Sequence, residues 1–109
     1  MSDSSTKPKI VILIQAHPDL ADLIPGYLES RRLDLVKIRR ELAQDNYAPI
    51  AVVGHRMRGT GSSYGFDGLS EIGSQIEAAA KASQSASLGE AIQALEEYLD
   101  SLQVNYSTS

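Results

Sequence analysis

The stretch LGEAIQALEEYLDSL, residues 88–102, carries the clearest structural signal in the chain, a near-heptad stripe of apolar side chains. Its members are Leu88, Ala91, Ile92, Leu95, Tyr98, Leu99 and Leu102. Spacings of three and four residues place them on one face of an α-helix, with polar residues opposite. The stretch therefore predicts an amphipathic helix that buries one face.

Three further amphipathic helices are predicted before this stretch. The first begins with Pro25 and the second around Ala48-Pro49, because proline suits the first turn of a helix. Gly65 closes the second, and the third follows Asp67, an N-cap residue type, and fades at residues 82–84. Their inward positions are Leu28, Leu35, Ile38 and Leu42, then Ile50, Val53, Met57 and Tyr64, then Leu69, Ile72, Ile76 and Ala79 or Ala80.

These patterns predict an all-α fold, an antiparallel up-down four-helix bundle with a short additional N-terminal helix that ends near Ile24. Residues 10–14 are rich in β-branched side chains, but no second convincing strand is available to pair with them. We expect them to be an extended segment or a first helical turn against the bundle. Strand pairing between two chains, through residues 10–16, is the alternative.

Length and composition limit the domain organisation and the classes of function. We expect a flexible or extended segment over residues 1–17, one helical domain over residues 18–105 and a tail over residues 106–109. The absence of cysteine excludes disulfides, thiolate nucleophiles and cysteine metal sites. A net charge of -4 argues against nucleic-acid binding. With no apolar stretch of about 20 residues and no secretion-signal pattern, a cytoplasmic protein without a membrane partner is expected.

The most informative segment for function is GHRMRGTGSSYGF, residues 54–66, which places a histidine among arginines and small residues. At about 100° per residue, His55 lies roughly 200° from both Val53 and Met57. His55 therefore faces away from the apolar stripe, where a bulky partner can reach it. We predict a phosphorylatable histidine.

Helical spacing gathers small and basic residues around this histidine. The positions four before it and three, four and seven after it hold Ala51, Arg58, Gly59 and Ser62. Gly54 and Gly59 each cost about 1 kcal/mol of helix propensity relative to alanine. We interpret that cost as the sign of a surface that a partner approaches closely.

A chain reversal near Phe66 would place His55 opposite Glu77. Each is eleven residues from the turn, which is about 16 Å along antiparallel helix axes. A carboxylate that accepts a hydrogen bond from one ring N–H fixes the tautomer and leaves the other nitrogen as the nucleophile. Glu77 is therefore predicted to orient the imidazole.

Together these positions form one spaced motif, which consists of His55, Met57, Arg58, Gly59, Thr60, Gly65, Leu69 and Glu77. The motif resembles that of the histidine-containing phosphotransfer (HPt) domain family. That family pattern reads roughly His-x-Leu-Lys-Gly and a small polar residue, with glycine at the tenth position after the histidine, leucine four further on, and Glu or Gln at the twenty-second. The likeness covers nearly the whole chain after residue 18. Arg58 replaces the family's usual lysine, which keeps the positive charge but changes its shape and hydration.

The resemblance implies a phosphorelay carrier without autonomous catalysis. In that family the histidine accepts a phosphoryl group from a receiver-domain aspartyl-phosphate and passes it to another receiver. His55 would attack through Nε2, Glu77 would orient the ring through Nδ1, and Arg58 would offset the charge of the phosphoryl group.

The partners that the resemblance implies are receiver domains, a hybrid histidine kinase, or both. The surface predicted to meet the receiver consists of Ala51, Arg56, Gly59 and Ser62, with Arg56 complementing an acidic face. No cofactor of the chain's own is expected, since Mg2+ would be supplied by the receiver. A monomer is expected.

Two other functions share parts of this pattern. The dimerisation hairpin of a histidine kinase typically has an acidic residue after its histidine and a proline five positions on, where this chain has Arg56 and Thr60. A non-phosphorylated helical module that docks a signalling partner would need the same exposed face. Only a chemical test separates that module from a phosphorelay carrier.

Overall fold

The computed structural model describes residues 11–106, which form four α-helices and a two-stranded sheet. The elements are strand β1 (Ile12–Ala16), helix α1 (Ile24–Ala43), helix α2 (Tyr47–Gly61), helix α3 (Asp67–Lys81), helix α4 (Ser85–Ser101) and strand β2 (Leu102–Tyr106). Short 3-10 turns, Pro18–Leu20 and Ser62–Tyr64, precede α1 and follow α2. No helix in the described range combines the length and the apolarity that a membrane crossing requires.

The four predicted amphipathic helices are confirmed. Each packs against the next in the chain, α1 also contacts α4, and the most extensive contact joins α2 and α3. The largest fully buried side chains are Phe66, Ile24, Ile38, Ile50, Met57, Leu69, Ile76, Leu88 and Leu95. They form a continuous core to which all four helices contribute. The faces of α2 and α3 that point away from this core are available to a site.

The expectation that the N-terminal segment lacks a partner strand is wrong. β1 pairs in parallel with β2, with Ile12 opposite Leu102 and Ala16 opposite Tyr106. The prediction that Leu102 belongs to the last helix is wrong, because α4 ends at Ser101 and Leu102 begins the strand. Of the segment predicted to be extended, residue 10 lies outside the described range; residues 12–14 are extended and not helical.

A 3-10 turn stands where a short N-terminal helix was predicted. Pro18–Leu20 form the turn, and His17 caps it by accepting a hydrogen bond from the backbone N–H of Asp19 at 3.1 Å. Ile24 does not end a short helix but begins α1, and Pro25 lies in the first turn as predicted.

The three connections between helices share one backbone motif, in which a residue with left-handed φ ends the helix. These residues are Asp45 (φ 53°), Gly65 (φ 90°) and Ser83 (φ 53°). The N–H of the next residue donates to the carbonyl five positions earlier, in the pairs Asn46–Glu41 (2.9 Å), Phe66–Gly61 (2.8 Å) and Gln84–Ala79 (2.9 Å). This is the Schellman arrangement, which satisfies carbonyls at the helix end and reverses the chain within a few residues.

Candidate functional site

His55 projects from the outward face of α2. Its side chain is 63% exposed, whereas Val53 and Met57 are buried in the core. The helical periodicity explains the difference, because residues two positions apart lie on nearly opposite faces of a helix. A partner can therefore reach the imidazole.

The reversal between α2 and α3 sets which residues face each other across the hairpin. Gly65 N–H donates to the Ser62 carbonyl at 3.0 Å, and the next residue, Phe66, is fully buried. Tyr27 of α1 stacks on Tyr64 and Phe66, with ring centroids 4.2 and 6.0 Å away. The sequence identified Phe66 only as a turn position, yet its burial fixes the turn against α1.

Close packing of α2 on α3 depends on glycine at the contact. A Cβ on Gly54 would lie 2.7 Å from the backbone nitrogen of Glu77 and 2.8 Å from the carbonyl oxygen of Gly73. A Cβ on Gly73 would lie 2.6 Å from the backbone nitrogen of Arg58. The interpretation that Gly54 admits a docking partner is therefore wrong, because this glycine admits α3 and brings the Glu77 backbone against α2.

Glu77 is a mostly buried carboxylate with three nitrogen partners. Oε2 lies 3.1 Å from Nδ1 of His55 and 2.9 Å from Nζ of Lys81. Oε1 lies 3.2 Å from Nε of Arg58. The Glu77 side chain is 10% exposed, whereas those of its partners are 48–67% exposed. The structure thus brings His55, Arg58 and Glu77 together across the hairpin.

The partners of Glu77 lower its pKa from the ordinary glutamate value. The hydrogen bond from Lys81 contributes most, and His55 and Arg58 act in the same direction, whereas desolvation by burial opposes them. The carboxylate is therefore ionised at neutral pH and can only accept hydrogen bonds.

Nδ1 of His55 lies within hydrogen-bond distance of two groups, Oε2 of Glu77 at 3.1 Å and Nη2 of Arg58 at 3.0 Å. A guanidinium only donates, so Nδ1 cannot accept from Arg58 and donate to Glu77 in the same tautomer. The tautomer therefore decides which contact is a hydrogen bond.

The other residues predicted to meet a partner lie in different surroundings. Ala51 and Arg56 line one shallow cleft with His55 and Glu77. Gly59 is exposed on α2, and a Cβ there would meet nothing within 4 Å.

Ser62 belongs to the 3-10 turn after α2, and its N–H and hydroxyl are both engaged. Its N–H and its Oγ bind Oγ of Ser70 at 2.8 and 3.0 Å. That Ser70 hydroxyl donates in turn to the carbonyl of Arg58 at 2.8 Å. Although exposed, Ser62 already contributes to packing of the turn on α3.

The cleft beside His55 is also lined by two residues that the sequence analysis did not identify, Val52 and Lys81. Val52 is 48% exposed and precedes His55 by three positions, so it adds an apolar contact point beside the imidazole. Lys81 follows Glu77 by four positions, a spacing typical of helical ion pairs. That spacing could have identified Lys81, whereas the exposure of Val52 depends on how α2 packs.

A mostly helical chain that presents an exposed histidine beside a mostly buried carboxylate has the features of a phosphorelay protein. The family model of the Hpt domain matches residues 22–105, more than three quarters of the chain, and the chain belongs to that family. This match confirms the family assignment made from the motif. Hpt domains are the histidine phosphotransfer modules of two-component signalling and interact with receiver domains. No curated protein and no solved structure matches the chain significantly. Within residues 11–106, no group of three or more His, Asp or Glu side chains is arranged to hold a metal ion.

Proposed function

We propose that His55 accepts a phosphoryl group from the aspartyl-phosphate of one receiver domain and passes it to another. The observation that supports this most is the exposed imidazole of His55, whose Nδ1 lies 3.1 Å from the mostly buried Glu77 carboxylate. Because the carboxylate accepts only, and because the half-exposed Arg58 has a second partner in Oε1 of Glu77, we assign the proton to Nδ1, in a charge-assisted hydrogen bond to Oε2. The neutral ring then carries its lone pair on Nε2, which faces away from Glu77.

The transfer is a substitution at phosphorus. The Nε2 lone pair forms the new N–P bond while the P–O bond to the receiver aspartate breaks, and the bonding electrons return to the aspartate carboxylate. The Nδ1 proton stays on the ring, so the imidazole becomes positively charged as the phosphoryl group arrives. Glu77 stabilises that developing charge, and the reverse sequence regenerates the neutral ring when a second receiver accepts the group.

Arg58 supplies positive charge for the transferred group. It is one helical turn from His55 and 48% exposed, so its guanidinium can turn toward the oxygens on phosphorus. The receiver docks on the surrounding surface of Ala51, Arg56, Gly59 and Ser62, where the open space at Gly59 leaves room and Arg56 attracts an acidic face. Mg2+ is supplied by the receiver.

The wider proposal is a cytoplasmic, monomeric carrier or a domain of a hybrid histidine kinase, without autonomous catalysis. Its helices run alternately up and down. The short connections at residues 44–46, 62–66 and 82–84 and the contact of α1 with α4 support that arrangement.

The test is transfer from radiolabelled, Mg2+-loaded receiver domains, used as a panel because the cognate partner is unknown. We expect label on the wild-type protein that is lost in acid and stable in alkali, as for a phosphohistidine. His55→Gln is expected to abolish labelling.

His17→Gln is the matched control for this experiment. The chain has only two histidines, and the His17 side chain is 62% exposed, almost the same as that of His55. His17→Gln should therefore keep full labelling. Label that persists on His55→Gln would place the acceptor elsewhere, and a folded wild-type protein that no receiver labels would support the docking module instead.

A further inference from the structure

Lys81 and Arg58 contact different oxygens of the Glu77 carboxylate. Nζ of Lys81 lies 2.9 Å from Oε2, the oxygen that also faces Nδ1 of His55, whereas Arg58 approaches Oε1 at 3.2 Å. One carboxylate oxygen is therefore shared by the imidazole and Lys81, and the other is contacted by Arg58. The oxygen that orients the ring does not depend on Arg58.

Arg58 has two competing tasks in the proposed transfer. In this structure its guanidinium is paired with Glu77, but a phosphoryl group on Nε2 requires the same positive charge. When Arg58 turns to phosphorus, Glu77 loses one of its two charged partners. Lys81 lies on α3, four positions after Glu77, and can stay because its contact involves neither α2 nor the phosphoryl group.

The surface on both sides of Glu77 includes Lys81. One cleft is lined by Lys81 together with His55, and a second by Lys81 together with Arg58, with Glu77 in both. Lys81 thus lines the surface beside His55 as well as the surface beside Arg58, and its ammonium is paired with Glu77.

We infer that Lys81 is a positioning residue that holds Oε2 of Glu77 against Nδ1 of His55 and retains the carboxylate when Arg58 turns to the phosphoryl group. This inference rests on the proposed phosphotransfer at His55. The two cations then have different roles. Lys81 acts on the orientation of the ring through Glu77, and Arg58 acts on the charge of the transferred group.

The experiment compares Lys81→Met, which removes the charge, with Lys81→Arg, which restores it, and with Arg58→Ala. Lys37→Met is the control, because Lys37 is an exposed α1 lysine that forms no salt bridge to any residue between 11 and 106. The first measurement is the tautomer of His55, from the ring nitrogen shifts of protein labelled with nitrogen-15 at histidine. The second is the rate of phosphorylation by phosphoramidate, a small donor that needs no receiver.

Lys81→Met is expected to shift the neutral ring from the Nδ1–H toward the Nε2–H tautomer. Phosphorylation should slow about fivefold, because Nε2 then carries the proton in a larger fraction of molecules and has no lone pair available for attack. Lys81→Arg and Lys37→Met should stay within about twofold of wild type in rate, with the wild-type tautomer. Arg58→Ala should slow phosphorylation while keeping the Nδ1–H tautomer, since it removes the competing donor at Nδ1.

Two results would overturn the inference: an unchanged tautomer in folded Lys81→Met, or a tautomer shift in Arg58→Ala as large as in Lys81→Met. Failure of the proposed function is a separate result, namely wild-type protein that neither phosphoramidate nor any receiver labels. The tautomer comparison still decides the role of Lys81 in that case, because it needs no phosphoryl donor.

Discussion

At the scale of single residues, Glu77 combines burial with charge, which is costly unless partners compensate. Its carboxylate is 10% exposed and lies within 3.2 Å of nitrogens on His55, Arg58 and Lys81. The two cations stabilise the charge, and the charge in turn holds the imidazole. This residue therefore links the stability of the α2–α3 hairpin to the chemistry of the site.

The lowered pKa of Glu77 predicts a pH-dependent contribution to stability. A carboxyl group whose pKa is lower in the folded state stabilises the fold above the titration range of an unfolded glutamate, about pH 4.3, and loses this contribution as the pH falls through its folded pKa. Glu77→Gln should therefore be less stable than wild type at pH 7, with a difference that shrinks at pH 3. Urea unfolding at both pH values measures it.

Glu71→Gln is the control for Glu77→Gln, because Glu71 is an exposed carboxylate on the same helix. Its effect should be small at pH 7. A stability difference between wild type and Glu77→Gln that is equal at both pH values would contradict the ionised, partnered carboxylate described above.

Much of the arrangement around His55 can be predicted from the sequence, because it depends on local helix geometry. The exposure of His55 follows from helical periodicity, and its approach to Glu77 follows because both residues are eleven positions from Phe66. The use of Gly54 could not be predicted in the same way. Gly54 and Gly59 have the same helix propensity, and only the position of α3 shows which of them meets a backbone and which meets solvent.

Among the helices, replacement of Gly54 or Gly59 by alanine should have opposite effects on the stability of the fold. Gly54→Ala should destabilise the protein by about 1–3 kcal/mol, because the new methyl group meets the backbone of α3 and must push the helices apart. Gly59→Ala should stabilise it by up to about 1 kcal/mol, because the site is open and alanine favours the helix. Urea unfolding of the two variants provides the comparison, and equal signs would contradict the packing described.

The left-handed residues at the helix ends predict a second pair of opposite effects. Ser83→Gly should raise stability by about 0.5–1 kcal/mol, because serine pays a steric cost at φ 53° that glycine avoids. Gly65→Ala should lower stability by about 1 kcal/mol for the same reason in reverse. Thermal unfolding monitored by circular dichroism measures both. A loss of stability in Ser83→Gly would indicate that the serine side chain makes a contribution larger than its backbone cost.

The strands show where prediction from local pattern failed. β2 has only five residues, and its two inward side chains, Leu102 and Val104, continue directly from α4. Leu102 also fits the helical stripe, so periodicity alone assigned it to the helix. The strand exists because β1, far away in sequence, supplies its hydrogen-bond partners.

The sheet joins the segment before α1 to the segment after α4, and its first strand lies beside α3 and α4. Ile12 of β1 lines a cleft with Ile72 of α3 and Tyr98 of α4. No residue of that cleft lines the cleft beside His55. The sheet should therefore affect the stability of the bundle and leave the surface around His55 unchanged.

A double-mutant cycle across the sheet tests that separation. Ile14 and Val104 are register partners and both are half-buried, so each alanine substitution should cost about 1 kcal/mol, with a coupling of about 0.5 kcal/mol between them. Leu13→Ala, on the outward face of β1 and 60% exposed, should change stability by less than about 0.5 kcal/mol. All these variants should retain wild-type phosphorylation of His55 by phosphoramidate under conditions where they are folded. Additive losses would show that the two side chains do not pair across the sheet, and slower phosphorylation in a fully folded variant would show that the sheet and the site are coupled through α3.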